Sequence, residues 1–261
     1  SNYENNYKRF YQMNLAYDDS TVYIILFLVA FIASAIDSIA GGGGLLVVPT
    51  MLVLGLSPLT ALGTNKLQSC FGTATSSFNY YKNNLLKEKN IKFLVLLSFF
   101  GSGVGTLLVS QLSNEILNNI IPILLISAAL FLIINKNTKK NTNNLLSILF
   151  IPFILLIGFY DGFFGPGTGT FFVITFLVLK QRNLMEATAA TKLLNFSSNF
   201  ASFLVFSYKG YVIWQLGLIM AIAQILGAYI GSKLAITNGD KFVRPIIVLI
   251  SIILSIRILL S

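Results

Sequence analysis

The chain has 261 residues, 55% of them hydrophobic and 10% charged, a formal net charge of +9 and a mean hydropathy of +0.78. That composition lies far outside the range of water-soluble domains and makes a bilayer the solvent. Histidine is absent and Cys70 is the single cysteine, which excludes Ser-His-Asp and Cys-His catalysis, an internal disulfide and a Cys-based metal cluster. No enzyme activity, metal or cofactor is therefore expected.

Residues 1–20 are polar, with Lys8, Arg9, Asp18 and Asp19, and no A-x-A-like cleavage signal follows them, so Thr21 onward reads as a retained membrane segment. Apolar segments then run over 21–38, 45–56, 60–81, 92–110 and 116–134. A basic linker, 135–144, carries Lys136, Lys139 and Lys140. Five more segments follow at 145–160, 168–180, 185–207, 211–234 and 242–260. Most reach the about 20 residues needed to cross a hydrocarbon core, but 45–56 and 168–180 do not. A 12-residue helix covers about 18 Å of a core about 30 Å thick, so each of these reads as a half-span.

The segments repeat. Asp37, Gly41 to Gly44, Lys66, Tyr81-Lys82 and Gly101-x-x-x-Gly105 recur as Asp161, Gly165-Pro166-Gly167, Lys192, Tyr208-Lys209 and Gly227-x-x-x-Gly231. The offset is 124 residues at the Asp and Gly positions and about 126 from the Lys onward. The expected fold is an all-α integral membrane protein made of two repeats, 21–134 and 145–261. Each repeat holds about four spanning or near-spanning helices plus a short broken helix after a Gly-rich motif. The Gly-x-x-x-Gly pairs are the small-residue spacing that lets membrane helices touch.

Charge sets the orientation. If the loop 82–92 faces the cytoplasm and each half crosses an odd number of times, the basic clusters at 136–140, 180–182 and 233–244 fall on that side too. Twelve of eighteen Lys and Arg are then inside, as the positive-inside rule requires. The count favours inverted topology of the two repeats, with both termini outside. The same clustering explains the net charge without nucleic acid.

Non-helical backbone survives at membrane depth only where protein or a water-filled cavity surrounds it, so the glycine breaks should face the interior. Each break precedes a helix, whose free N–H groups and positive dipole end can receive an anion; Thr168 and Thr170 add hydroxyls to the second. Asp37, Asp161, Lys66 and Lys192 are ionisable groups at membrane depth. Left unpaired at the bilayer centre, each costs at least about 2.5 to 3.5 kcal/mol, so each should find a partner. Two readings stand: Asp–Lys pairs that pin helices together, or Lys residues that attract an anion while Asp37 or Asp161 takes up a proton as the coupling ion. Polar stripes accompany the lysines, Thr64, Asn65, Gln68, Ser69, Thr73, Ser76 and Ser77 in one helix, Thr188, Thr191, Asn195, Ser198, Asn199 and Ser202 in the other. Spacings of three, four and seven put much of each set on one face.

Several segments carry a resemblance. Asp37-Ser-Ile-Ala-Gly-Gly-Gly-Gly-Leu-Leu-Val-Val-Pro49, Ala61-Leu-Gly-Thr-Asn-Lys66, Gly158-Phe-Tyr-Asp-Gly-Phe-Phe-Gly-Pro-Gly-Thr-Gly169, Thr191-Lys-Leu-Leu-Asn-Phe196 and Tyr208-Lys-Gly210 resemble the TauE/SafE sulfite-exporter family. The likeness runs from about residue 21 to 260. It implies an integral transporter, of the bacterial inner membrane, for sulfite, organosulfonates or similar small anions. The expected mechanism is alternating access around a midplane site, with a passive anion channel as the alternative. The site is expected to join Gly42, Gly43, Gly44, Thr64, Asn65 and Lys66 of the first half to Gly167, Thr168, Thr191, Lys192 and Asn195 of the second.

Overall fold

In a computed structural model, residues 19–134 and 148–239 are described. They form nine α-helices and, among the described residues, no strand: α1 (Asp19–Ala40), α2 (Gly44–Val53), α3 (Pro58–Lys82), α4 (Ile91–Val109), α5 (Asn114–Ile134), α6 (Phe150–Phe163), α7 (Thr168–Leu179), α8 (Leu184–Tyr208) and α9 (Trp214–Asn238). The polar stretch before residue 19, the linker 135–144 and the apolar segment 242–260 lie outside the described residues.

Segment by segment, these are the helices the hydropathy pattern predicts. α1, α4 and α9 are long and apolar enough to cross a membrane. α2 and α7, of 10 and 12 residues, are the two expected half-spans, about 15 and 18 Å long. α6, over Phe150–Phe163, runs three residues past the predicted end at 160; the predicted start at 145 lies outside the described residues.

The outer faces of α1, α4 and α9 are apolar and exposed, with Ile24, Leu28, Phe100, Val104, Ile222 and Leu226 among the residues shown. That is the arrangement expected where lipid is the solvent. Their inner faces are narrow. A Cβ on Gly227 or Gly231 of α9 would lie 2.2 Å from the carbonyl oxygen of Phe31 or Ala35 on α1. In the other half Gly101 and Gly105 of α4 meet Leu155 O and Phe159 O of α6 at 2.5 and 2.1 Å. Both Gly-x-x-x-Gly pairs thus act as helix contacts, in equivalent places.

Contact order gives helix directions. Phe31 and Ala35 meet Gly227 and Gly231 in the same sequence order, so α1 and α9 run parallel. Leu67, Gly72 and Asn79 of α3 meet Gly217, Gln224 and Ser232 of α9 in the same order. On the other side, Ser98 and Ser102 of α4 bond to Leu194 and Ser198 of α8, and α4 runs parallel to α6 as well. α3 and α8, however, oppose each other. Gly63 and Thr64 near the start of α3 touch Phe206, Tyr211 and Ile213 at the end of α8, while Glu88 and Lys87 beyond the end of α3 pair with Arg182 and Glu186 at the start of α8.

α2 doubles back along α1. Met51 and Leu54 pack in one cluster with Val22 and Leu26 near the start of α1, so α1 and α2 form a hairpin whose tip is the glycine break. The turn is closed by Gly41 and Gly42 at φ +85° and +95°, and the corresponding turn between α6 and α7 by Gly165 and Gly167 at +96° and +89°. An L-residue with a side chain rarely adopts such angles.

Candidate functional site

The hairpin tips meet in the centre of the bundle. A Cβ on Gly41 would sit 2.8 Å from Thr170 N and one on Gly44 3.3 Å from Pro166 Cα, while Gly169 is equally close to Gly41 Cα at 3.1 Å. At Gly41, with its positive φ as well, the approach admits only glycine, and at Gly44 and Gly169 a side chain would force the neighbouring hairpin to give by a few tenths of an ångström. The expectation that the breaks face the interior is met.

Two ion pairs flank the contact, one buried and one part-buried, and each crosses between halves. Lys66 Nζ of α3 donates to Asp161 Oδ1 of α6 at 2.8 Å and to the Asp161 carbonyl at 2.6 Å. Lys192 Nζ of α8 donates to Asp37 Oδ2 of α1 at 2.9 Å and to the Asp37 carbonyl. Each ammonium therefore neutralises a carboxylate and satisfies a carbonyl in the last turn of a broken helix, where the dipole's negative end favours a cation. The remaining carboxylate oxygens also have donors: Asp37 Oδ1 accepts from Gly43 N at 3.1 Å, and Asp161 Oδ2 from the Ser198 hydroxyl.

Between the pairs lies a cavity of about 40 Å³. On this measure one water needs about 10–15 Å³, so the space suits a few waters or one small ion. Of the residues expected at the site, Gly42, Gly43, Gly44, Asn65, Lys66, Gly167, Thr168 and Asn195 line it, together with both aspartates. The other three do not. Thr64 is buried toward α9, where its hydroxyl accepts from Ile213 N at 3.1 Å. Thr191 is fully buried, and its hydroxyl oxygen has no partner among the described residues. Lys192, wholly buried, sits behind Gly169, so it reaches the cavity through Asp37 rather than directly.

The donors of the breaks divide into spent and free. The Thr168 hydroxyl, expected as a donor to substrate, donates to Gly165 O and can only accept from a ligand. The N–H groups of Gly42, Gly167 and Gly169 take no protein acceptor among the described residues. Asn195 contributes a buried side-chain oxygen without a partner. Ser69, Thr73 and Asn199, members of the polar stripes, complete the wall.

Sequence reading missed Gln224, which enters the cavity from α9 and donates to Ala30 O at 3.2 Å. Its signal was available: an amide in the middle of an apolar spanning helix needs an interior partner. No group of three or more His, Cys, Asp or Glu capable of holding a metal occurs among the described residues.

The family model for the sulfite exporter TauE/SafE matches residues 26–258. The chain is 42% identical over 240 residues to a probable membrane transporter protein, ORF9, of Sinorhizobium sp, covering 90% of this chain and 91% of that protein. It is 41% identical over 240 residues to the probable membrane transporter protein YfcA of Escherichia coli (strain K12), covering 90% and 88%. A more distant relative, the probable membrane transporter protein YunE of Bacillus subtilis (strain 168), is 26% identical over 260 residues. No solved structure matches the chain significantly. With its apolar spanning helices and this match over nearly its whole length, the chain belongs to the TauE/SafE family of membrane transporters.

Proposed function

We propose that the chain is a secondary transporter of small sulfur-containing oxyanions, sulfite or a compact sulfonate, which bind between the two glycine breaks. The carrying observation is the pair of cross-linked Lys–Asp bridges around a small cavity lined with free amides. Free N–H groups at helix starts and the Lys66 ammonium in the wall, with Lys192 joined to the cavity through Asp37, are the donors an oxyanion needs. The cavity's volume admits an ion of a few heavy atoms and not an extended metabolite.

The four ionisable side chains sum to zero charge, so an anion alone would leave the membrane interior with uncompensated charge. Uptake of a proton by an aspartate as the anion arrives restores neutrality and releases a lysine to the substrate. Proton-coupled anion transport follows from that balance.

Helix directions support an inverted repeat. α1, α3 and α9 point one way and their complements α4, α6 and α8 the other, so the equivalent pairs α1/α6, α3/α8 and α4/α9 are each opposed. The loop after α3 and the loop before α8 meet through Arg182, Glu88, Lys87 and Glu186, so the basic clusters of both halves lie at one end of the bundle. By the positive-inside rule that end is cytoplasmic and the termini lie outside the inner membrane. In alternating access the two halves rock about the fixed cavity.

The test is sulfite binding to purified protein by calorimetry. Lys66→Ala and Lys192→Ala are each expected to abolish it. Unaltered affinity in both would refute this site.

A further inference from the structure

The two halves are not equivalent at their aspartates, and the differences share one pattern. In the second half Asp161 lies against Gly165 but takes its second carboxylate bond from Ser198 on α8 rather than from a break amide, and the side chain is 5% exposed. The break amide at the position matching Gly43, that of Gly167, is left free. In the first half the residue matching Ser198 is Gly72, which has no hydroxyl to offer. Its space is filled instead by the Gln224 amide, whose Oε1 lies 2.3 Å from where a Cβ on Gly72 would be. Asp37 turns to its own break, accepting from Gly43 N, and is 22% exposed.

Volume is conserved in the exchange. Ser34, Gly72 and Gln224 meet in the first half where Gly158, Ser198 and Ser98 stand in the second. The large Gln224 is matched by the small Gly72, and the small Ser98 by the larger Ser198. What changes is chemical: one aspartate is bonded to a serine of a packed helix and the other to a donor of the anion site itself.

We propose that Asp37 alone is the coupling carboxylate and that Asp161 is a fixed counter-ion. Ionised Asp37 occupies the first break as a resident anion, using the Gly43 N–H and the Lys192 ammonium that a substrate oxyanion requires. Substrate and the Asp37 carboxylate compete for the same two donors. A proton taken up on Asp37 removes its charge and frees both, so anion binding and Asp37 protonation go together. The other charged and titratable groups around Asp37 are Lys192 from α8, Lys66 from α3, Asp161 from α6 and Tyr80 from α3, whose hydroxyl donates to Ser38 O at 2.8 Å. Neutralising Asp161 would loosen Lys66 in the cavity wall but frees a serine and no break amide, whereas neutralising Asp37 releases a donor of the glycine break itself. This inference rests on the transport reading above and deepens it by dividing the roles of its two aspartates.

The experiment measures binding of sulfite and of methanesulfonate to the purified full chain, by calorimetry in detergent, as a function of pH. Methanesulfonate keeps its single negative charge through the neutral range, so its profile reports the protein. With one proton taken up per anion, wild-type affinity rises on the order of tenfold for each unit fall in pH above the coupling group's midpoint. In Asp37→Asn, a permanent mimic of the protonated state, binding persists and its pH dependence disappears. Asp161→Asn keeps the wild-type slope whatever its affinity. Ser198→Ala, a milder change that frees the second Asp161 oxygen, keeps the slope as well and guards against a misfolded Asp161 variant. A flat profile in Asp161→Asn or Ser198→Ala, or an unchanged slope in Asp37→Asn, overturns the assignment. Failure of the wild-type protein to bind either anion overturns the sulfur-oxyanion reading on which this assignment rests.

Discussion

Gly162→Ala should separate α4 from α6 and lower stability by several kilocalories. A Cβ at this position would lie 1.9 Å from Ser102 O, 2.6 Å from Ser102 C and 2.7 Å from Ser102 Cα, where ordinary contacts begin at 3.4 Å. All three atoms are backbone, so no rotamer change relieves the clash, and the helices must part by roughly 1.5 Å at the crossing. That movement breaks the 3.0 Å bond from Thr106 Oγ1 to Gly162 O, a loss of about 1 kcal/mol. Overpacking adds about 1 to 3 kcal/mol. A total near 3 kcal/mol corresponds to a melting-point drop of about 6 to 12 °C for a chain of this size. The assay is thermal unfolding in detergent, with Gly103→Ala as control: nothing lies within 4 Å of a Cβ there, and alanine's better helix propensity makes that change neutral or slightly stabilising. Equal melting points for the two variants would refute the packing argument.

Three further outcomes are expected. Thr64→Val leaves the buried Ile213 N–H without its acceptor and should cost about 1 to 3 kcal/mol of stability, read by the same melt. Glu88→Gln removes the negative charge from the pair that ties Arg182 to the loop after α3. At the partly exposed end of the bundle this should change stability by less than about 1 kcal/mol, and a larger fall in the melt would show that the two loops are held by more than this pair. Lys192→Ala should be far more damaging, about 3 to 5 kcal/mol, because it strands the Asp37 carboxylate. The double variant Lys192→Ala/Asp37→Asn should recover a substantial part of that loss, and a double variant as unstable as the single one would contradict the pairing.

Most of the fold was legible because the bilayer makes sequence patterns strict. Helices α1, α4 and α9 are continuous apolar runs, and the half-spans α2 and α7 are too short to be anything else at that depth. The duplication gave the partners of Lys66 and Lys192 as a class, since two buried ammonium groups and two buried carboxylates must neutralise one another. The crossing of each pair from one half to the other was not legible, because that depends on how the halves dock. The same holds for Thr64, Thr191 and Lys192. Each shares a polar stripe with cavity residues, but a stripe is wider than a cavity, and these three point toward α9, toward packed neighbours and toward Asp37.

The cross-linked pairs are hard to justify as stabilising devices. Replacing a buried ion pair by well-packed apolar residues is often neutral or favourable, whereas breaking one is costly. A bundle already held by two glycine-mediated helix interfaces gains little from charges that must first be dehydrated. Yet the chain carries the arrangement twice, each time with the lysine on the polar helix of one half and the aspartate beside the glycine break of the other. A pair in this position has a property that an apolar contact lacks. Its attraction can be switched off by one proton or redirected by one anion, and because each pair joins opposite halves, either event loosens the contact between them. On the function proposed above, binding at the cavity would thereby be linked to relative movement of the halves, the coupling that a rocking carrier requires.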